Sequence, residues 1–384
     1  MSDAPPAPLC PDTSSDSLLH KLARRRGAGS KPPRLVRVYL VVVAATYLPL
    51  LLAAKLEGPL WDGSGAGTLT FLHDWGLGYA LLVSLPSLVV LLVSDEYVLS
   101  TSLDEVQRDG VIALSERAAN SLRATWKRYF RIWNLIAQFA GIGFGIVLGI
   151  VTLGSYLKPD IASWIAPKGQ VHLAGYVYLY CIILLYTLVI IYVTRCIAVS
   201  LFLRALVAGA PLRILPLHPD KCGGLRPVGR LGLRNQYTLT VLGINIVLLL
   251  VVWVYTMHRT APLRDVMIAA SVAYLILGPV IFMAPLLPFR AGMQEAKKEW
   301  THEVARVVRV EIERLRVQFG KNEVTKPDEE SIERLRKVGA AIDELPIWPF
   351  DPSTLRKFAT AYIVPLALPL LGETVRAFLK AIGK

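Results

Sequence analysis

Charge is scarce in this chain. Only 18% of its 384 residues are Asp, Glu, Lys or Arg, where a soluble protein carries about a quarter. That shortage argues against one large water-soluble core. Cysteine is scarce too, with four residues. Cys10, Cys181, Cys196 and Cys222 form no C-x-x-C pair and no disulfide framework, so reduced thiols are expected. No P-loop, dinucleotide fingerprint, serine-hydrolase, metalloprotease or glycosidase pattern occurs. No cofactor is implied, and an enzyme is the reading of last resort. The two halves do not mirror each other in span length or helix breakers, which speaks against an inverted-repeat transporter.

What is abundant is apolar sequence, 54% of the chain, and it comes in blocks. The blocks predict an all-α polytopic membrane bundle with six spans. They lie near Val38–Ala54, Trp75–Val93, Ile132–Leu153, Leu173–Thr194, Tyr237–Met257 and Val266–Leu287. Each is about long enough to cross ~30 Å of hydrocarbon at ~1.5 Å per residue. The net charge of +13 sits beside these blocks, where cations set membrane orientation, so nucleic acid is not an expected partner.

Lys and Arg are distributed unevenly between the connections. Alternate segments hold seven (1–37), six (95–131) and six (204–234), against one (55–74), two (155–172) and two (258–265). The positive-inside rule then places both termini in the cytosol. Residues 1–34 contain six prolines and the basic group Lys21, Arg24, Arg25 and Arg26. They predict a disordered tail rather than a signal peptide. Residues 35–289 form the six-span domain, with cytosolic loops at 95–131 and 204–235.

In the first loop, Ser102 with Glu105 makes a capping-box pattern, and Asp109-Gly110 marks a break. Helical spacing runs from Ile112 through Trp126 and Phe130 to Trp133, with Lys127, Arg128 and Arg131 interleaved. This reads as an interfacial aromatic belt, or alternatively as an anionic-lipid site. Farther on, Asn134, Gln138, Gly141, Gly145 and Gly149 share one helix face. The glycine run invites close packing, while Asn134 and Gln138 are candidates for a polar path. The fourth span is over-long, and Arg195 in it either snorkels to the inner interface or lies at membrane depth as a functional group. Asn245 sits near the middle of span five. Gly278-Pro279, Pro285 and Pro288 predict a kink in span six.

Residues 290–345 read as a cytosolic helical hairpin. An amphipathic stripe runs from Met293 to Phe319, and a second from Ile332 to Leu345. Gly320 is the expected stop, and Thr325 with Asp328 the second start. Residues 346–384 hold a Trp-Pro-Phe connector and an interfacial or partly inserted helix, for which Asp351-Pro352 is the start signal. The hairpin is a candidate surface for a cytosolic partner or a second copy.

The loop around Leu217 is the densest cluster of chemistry. His218, Asp220 and Cys222 offer metal-ligand types, but a fourth ligand is missing. Gly223 and Gly224 among Lys221, Arg226, Arg230 and Arg234 suggest backbone N–H groups presented to an anion. A structural turn is the third reading. His218-Pro219-Asp220 also matches the J-domain tripeptide, but membrane spans flank it where soluble helices are required. The pattern His218-Pro219-Asp220-x-x-Gly223-Gly224-Leu225-x-x-x-Gly229 resembles a loop in prokaryotic multi-pass membrane proteins with no assigned function. The resemblance implies a bacterial or archaeal cell (inner) membrane, and no activity.

Function is expected to be that of a channel or transporter-like protein regulated from the cytosolic side, resting on Asn134, Gln138, Arg195 and Asn245. The alternative is a non-transporting membrane scaffold or sensor. A metal-dependent enzyme using the 218–222 loop ranks last. The bilayer, with possible anionic lipids, is the expected partner.

Overall fold

The computed structural model describes residues 32–57, 60, 68–113, 115–157, 162–166, 170–210, 212–215, 218–251, 262–319, 326–344 and 347–365. The basic tail before residue 32, Leu217, Gly320, Thr325 and residues 366–384 lie outside this set.

The described chain is helical apart from short segments. Its helices are α1 (Pro32–Glu57), α2 (Trp75–Arg108), α3 (Glu116–Tyr156), α4 (Leu173–Gly209), α5 (Arg226–Val251), α6 (Pro262–Met283), α7 (Leu287–Phe319) and α8 (Lys326–Asp343). A further helix, α9, covers 352–365. Five helices are long and apolar enough to cross a bilayer, or six when α6 and the start of α7 count as one span bent by 43°. The chain is an integral, multi-pass membrane bundle.

The bend falls at Ala284-Pro285-Leu286, between α6 and α7, while Pro279 stays inside α6. Proline cannot donate to the helix ladder, so a break beside Pro285 follows from the sequence. α2 contains a π-helical turn at Ala80–Ser84, just before Pro86.

α2 continues to Arg108, well past the expected membrane edge. Ser102 therefore lies inside a helix and caps nothing, which corrects the capping-box expectation. The expected break is where the helix stops: Gly110 has φ of 75°. The true N-cap follows at Ser115, whose hydroxyl accepts from Ala118 N at 3.3 Å. Ile112 lies before this helix and bridges to Leu212.

α3 and α4 pack along their lengths. Lipid removes most of the hydrophobic drive between spans, so close backbone approach and interhelical hydrogen bonds must hold them. The glycine face supplies that approach. A Cβ on Gly145 would lie 2.7 Å from Ile183 O, and one on Gly141 would lie 3.0 Å from Thr187 O. Thr187 Oγ1 donates to Gly141 O at 3.2 Å.

Two apolar cores result. One fills the bundle between α1, α2, α4 and α5, with Leu50, Leu81, Leu88 and Tyr192 among its buried residues. The other lies at the basic end, where residues 95–131 and 204–234 meet. It joins Leu103, Trp126, Phe202, Leu225, Phe282 and Phe289. Trp126 is 1% exposed and packs on Phe202 at 4.5 Å. It is thus a core residue rather than part of an interfacial belt, while Lys127, Arg128 and Tyr129 beside it are exposed.

At the opposite end, Thr68–Leu69 and Ala162–Ser163 pair as two short parallel strands. Glu57 Oε1 there accepts from Ala174 N, at the start of α4, at 3.0 Å.

α9 begins on Asp351, which accepts from Thr354 N at 3.0 Å. The hydroxyls of Thr354 and Ser353 hold the Asp351 carboxyl down at about 2. α9 then lies against α5 and α6. Phe358 stacks on Phe282 at 4.1 Å, and Thr240 Oγ1 donates to Ala361 O at 2.8 Å.

Candidate functional site

The 218–226 loop is organised by one carboxylate. Asp220 Oδ1 accepts from Cys222 N at 2.8 Å and Gly224 N at 3.0 Å, and Oδ2 accepts from Arg226 N at 3.1 Å. His218 Nδ1 lies 2.8 Å from Asp220 Oδ1, and its Nε2 lies 3.7 Å from Asp109 Oδ2. Burial raises the Asp220 pKa, but these bonds outweigh it and hold the carboxyl below its ordinary value. The backbone does form a nest of N–H groups, and its anion is the chain's own Asp220.

The turn needs positive φ at three positions: 57° at Lys221, 65° at Gly223 and 89° at Gly224. A Cβ on Gly224 would also lie 2.4 Å from Val111 Cγ2. The two glycines thus serve turn geometry and close contact with Ile214 and Val111. Cys222 is buried, and its thiol is pushed up to about 12 by burial and by Asp220 and Asp351. Among the described residues, no group of three or more His, Cys, Asp or Glu is placed to hold a metal.

The membrane-depth candidates have different surroundings. Asn245 is buried, and its side-chain amide donates to Gly76 O, on α2, at 2.9 Å. It also borders a cavity of about 100 Å³ lined by Thr152, Tyr156 and Tyr186. Asn134 is half-buried and Gln138 is exposed on α3. Among the described residues, neither makes a hydrogen bond to Asn245 or Arg195. On the α3–α4 seam that pairs Gly141 with Thr187, Asn134 falls one turn from Phe130, which the Arg195 guanidinium covers.

Arg195 is the centre of a second polar cluster. Its Nε lies 2.9 Å from Asp95 Oδ2, and its Nη2 lies 3.4 Å from Glu96 Oε1. Nη1 donates to Leu92 O at 3.1 Å, and the guanidinium sits 4.7 Å above the Phe130 ring. The other oxygen of Asp95 holds Arg234 Nη1 at 3.1 Å. Arg234 Nη2 donates to Ser94 Oγ at 2.6 Å and to Leu91 O at 3.1 Å. Two arginines therefore face two carboxylates in a neutral group, drawn from α2, α4 and α5. The Arg195 side chain is 17% exposed and pairs with carboxylates on α2.

Sequence reasoning missed Asp95 and Glu96 as partners of Arg195, and Arg234 as the second cation on Asp95. A signal existed. Asp95 and Arg195 each follow the C-terminal end of an apolar run, on spans that cross in the same direction, so they share a depth.

No family model, curated protein or solved structure matches the chain.

Proposed function

We propose that this is a non-transporting membrane scaffold or sensor of a prokaryotic cell membrane. Its basic end faces the cytosol, and 290–345 is its partner-binding arm. The observation that carries this reading is where the intramembrane polar groups direct their bonds. Asn245 and Arg195, two supports of a transport reading, both bond protein groups on α2. The basic-end core meanwhile unites both inner loops with the base of α7. A shift among the spans thereby reaches the arm. α7 also presents Val307 and Val310, three residues apart on one face, to solvent at 50% and 66% exposure. Such exposed apolar residues suit a protein partner.

Channel or carrier activity is the second reading. It is favoured by the cavity that Asn245 borders with Thr152 and Tyr186.

The arm's placement is tested by sidedness. Cys181, Cys196 and Cys222 are buried, so a Val310→Cys reporter in a Cys10→Ser background gives one accessible thiol. An impermeant maleimide is expected to label it in sealed inverted vesicles and not in intact cells. Labelling in intact cells would contradict the orientation and with it the proposed arm.

A further inference from the structure

At the basic end, α1, α2 and α5 enclose an open cleft of about 470 Å³. Val90, Leu91 and Leu233 make its wall apolar, while Arg230 and Arg234 make its rim cationic. No carboxylate is among its lining residues. Arg230, Arg234 and Thr238 follow at intervals of four on α5, so the rim and the wall form one stripe about 12 Å long. Polarity thus falls from a guanidinium rim to an apolar wall within the length of a lipid head group and upper acyl chain.

The two arginines differ in availability. Arg234 is fixed by Asp95, Ser94 and Leu91. Arg230 has a side chain 61% exposed, and its nearest carboxylate is the half-exposed Glu105 at 4.0 Å. A pair that long and that exposed holds an arginine weakly. Arg230 can therefore turn to a phosphate, for which its forked donors are suited. Tyr39 and Tyr237 flank the opening, the residue type that anchors at head-group level. Tyr39 is itself held in place by its hydroxyl, which donates to Leu82 O.

We propose that this cleft binds one anionic glycerophospholipid, with its phosphate on Arg230 and an acyl chain along Val90, Leu91 and Leu233. The site is separate from the belt at 127–131. It rests on the membrane bundle alone, so it stands or falls apart from the scaffold reading.

The test is native mass spectrometry of the purified full chain in detergent. It is titrated with phosphatidylglycerol and with phosphatidylcholine of the same acyl chains. Phosphatidylcholine has the same phosphate but a compensating choline cation. The net charge of phosphatidylglycerol beside Arg230 therefore predicts about fivefold tighter binding of phosphatidylglycerol. Arg230→Ala is expected to abolish that preference without altering the melting curve, because its side chain is exposed. Ser87→Trp, which fills the cleft, is expected to lower the first binding step for phosphatidylglycerol. Equal binding of the two lipids by the native chain would overturn the proposal. So would a preference that survives Arg230→Ala. Displacement of the bound lipid by an equal concentration of inorganic phosphate would reassign the cleft to a free anion and likewise overturn it.

Discussion

Asp95 Oδ2 lies 2.9 Å from Arg195 Nε, and this pair ties α2 to α4 where the membrane core gives way to the basic-end core. The other oxygen of the same carboxylate reaches Arg234 on α5. One residue thus joins three spans, and its removal takes the carboxylate from Arg234 and leaves Arg195 with Glu96.

Asp95→Asn keeps the shape and removes the charge. Breaking a buried pair costs about 3–5 kcal/mol, because the remaining charge stays desolvated. Asp95 is 16% exposed, so the lower end of that range is expected. Unfolding in detergent measures the loss. The double variant Asp95→Asn/Arg195→Gln should lose less than the sum of the two single changes. Additive losses would mean that the pair is not coupled.

The α3–α4 seam predicts a contrast between two glycines of one helix. Alanine gains roughly 1 kcal/mol over glycine in a helix interior. At Gly143 nothing lies within 4 Å of a new Cβ, so Gly143→Ala should be neutral or stabilising. At Gly145 the Cβ would meet Ile183 O at 2.7 Å and Thr187 Oγ1 at 2.8 Å. Overpacking by about 1–3 kcal/mol should outweigh the propensity gain there. Melting temperatures that rank Gly145→Ala at or above Gly143→Ala would contradict the close approach.

Asp220 predicts a pH dependence of definite sign. Its folded pKa is held below the ordinary carboxylate value. Its stabilising effect is therefore present above about pH 4 and lost as pH falls through the lower, folded value. Amide exchange at Cys222, Gly224 and Arg226 should quicken in that acid range, once the intrinsic exchange rate is divided out. In Asp220→Asn, which keeps one acceptor oxygen, protection should be lower and nearly flat with pH. Equal protection in both chains would remove Asp220 from its role as the anion of the nest.

The spans were legible because run length alone reports them, and the glycine face was legible because its spacing is that of a helix. The stop at Gly110 was legible from Asp109-Gly110. Ser102 misled because its pattern with Glu105 is local, while α2 runs on to bury Leu103 and Val106 in the second core. Trp126 misled for a related reason. Alternation with Lys127 and Arg128 looks interfacial until Phe202 is known to cover the ring. The Asp95 cluster needs three helix rotations and depths at once, which no single stretch encodes. The Asp220 turn was within reach. A carboxylate followed at two and four residues by the N–H groups of Cys222 and Gly224, with adjacent glycines free to take positive φ, describes a self-capped turn as well as it describes a ligand site.

The most direct measurement is ion and solute flux through the purified full chain in liposomes, beside an Asn134→Leu/Asn245→Leu variant checked for folding. The account predicts no flux above empty liposomes for either chain, because Asn245 and Arg195 hold the bundle together. Flux in the native chain that the folded variant abolishes would contradict it and make the cavity beside Asn245 a conducting path.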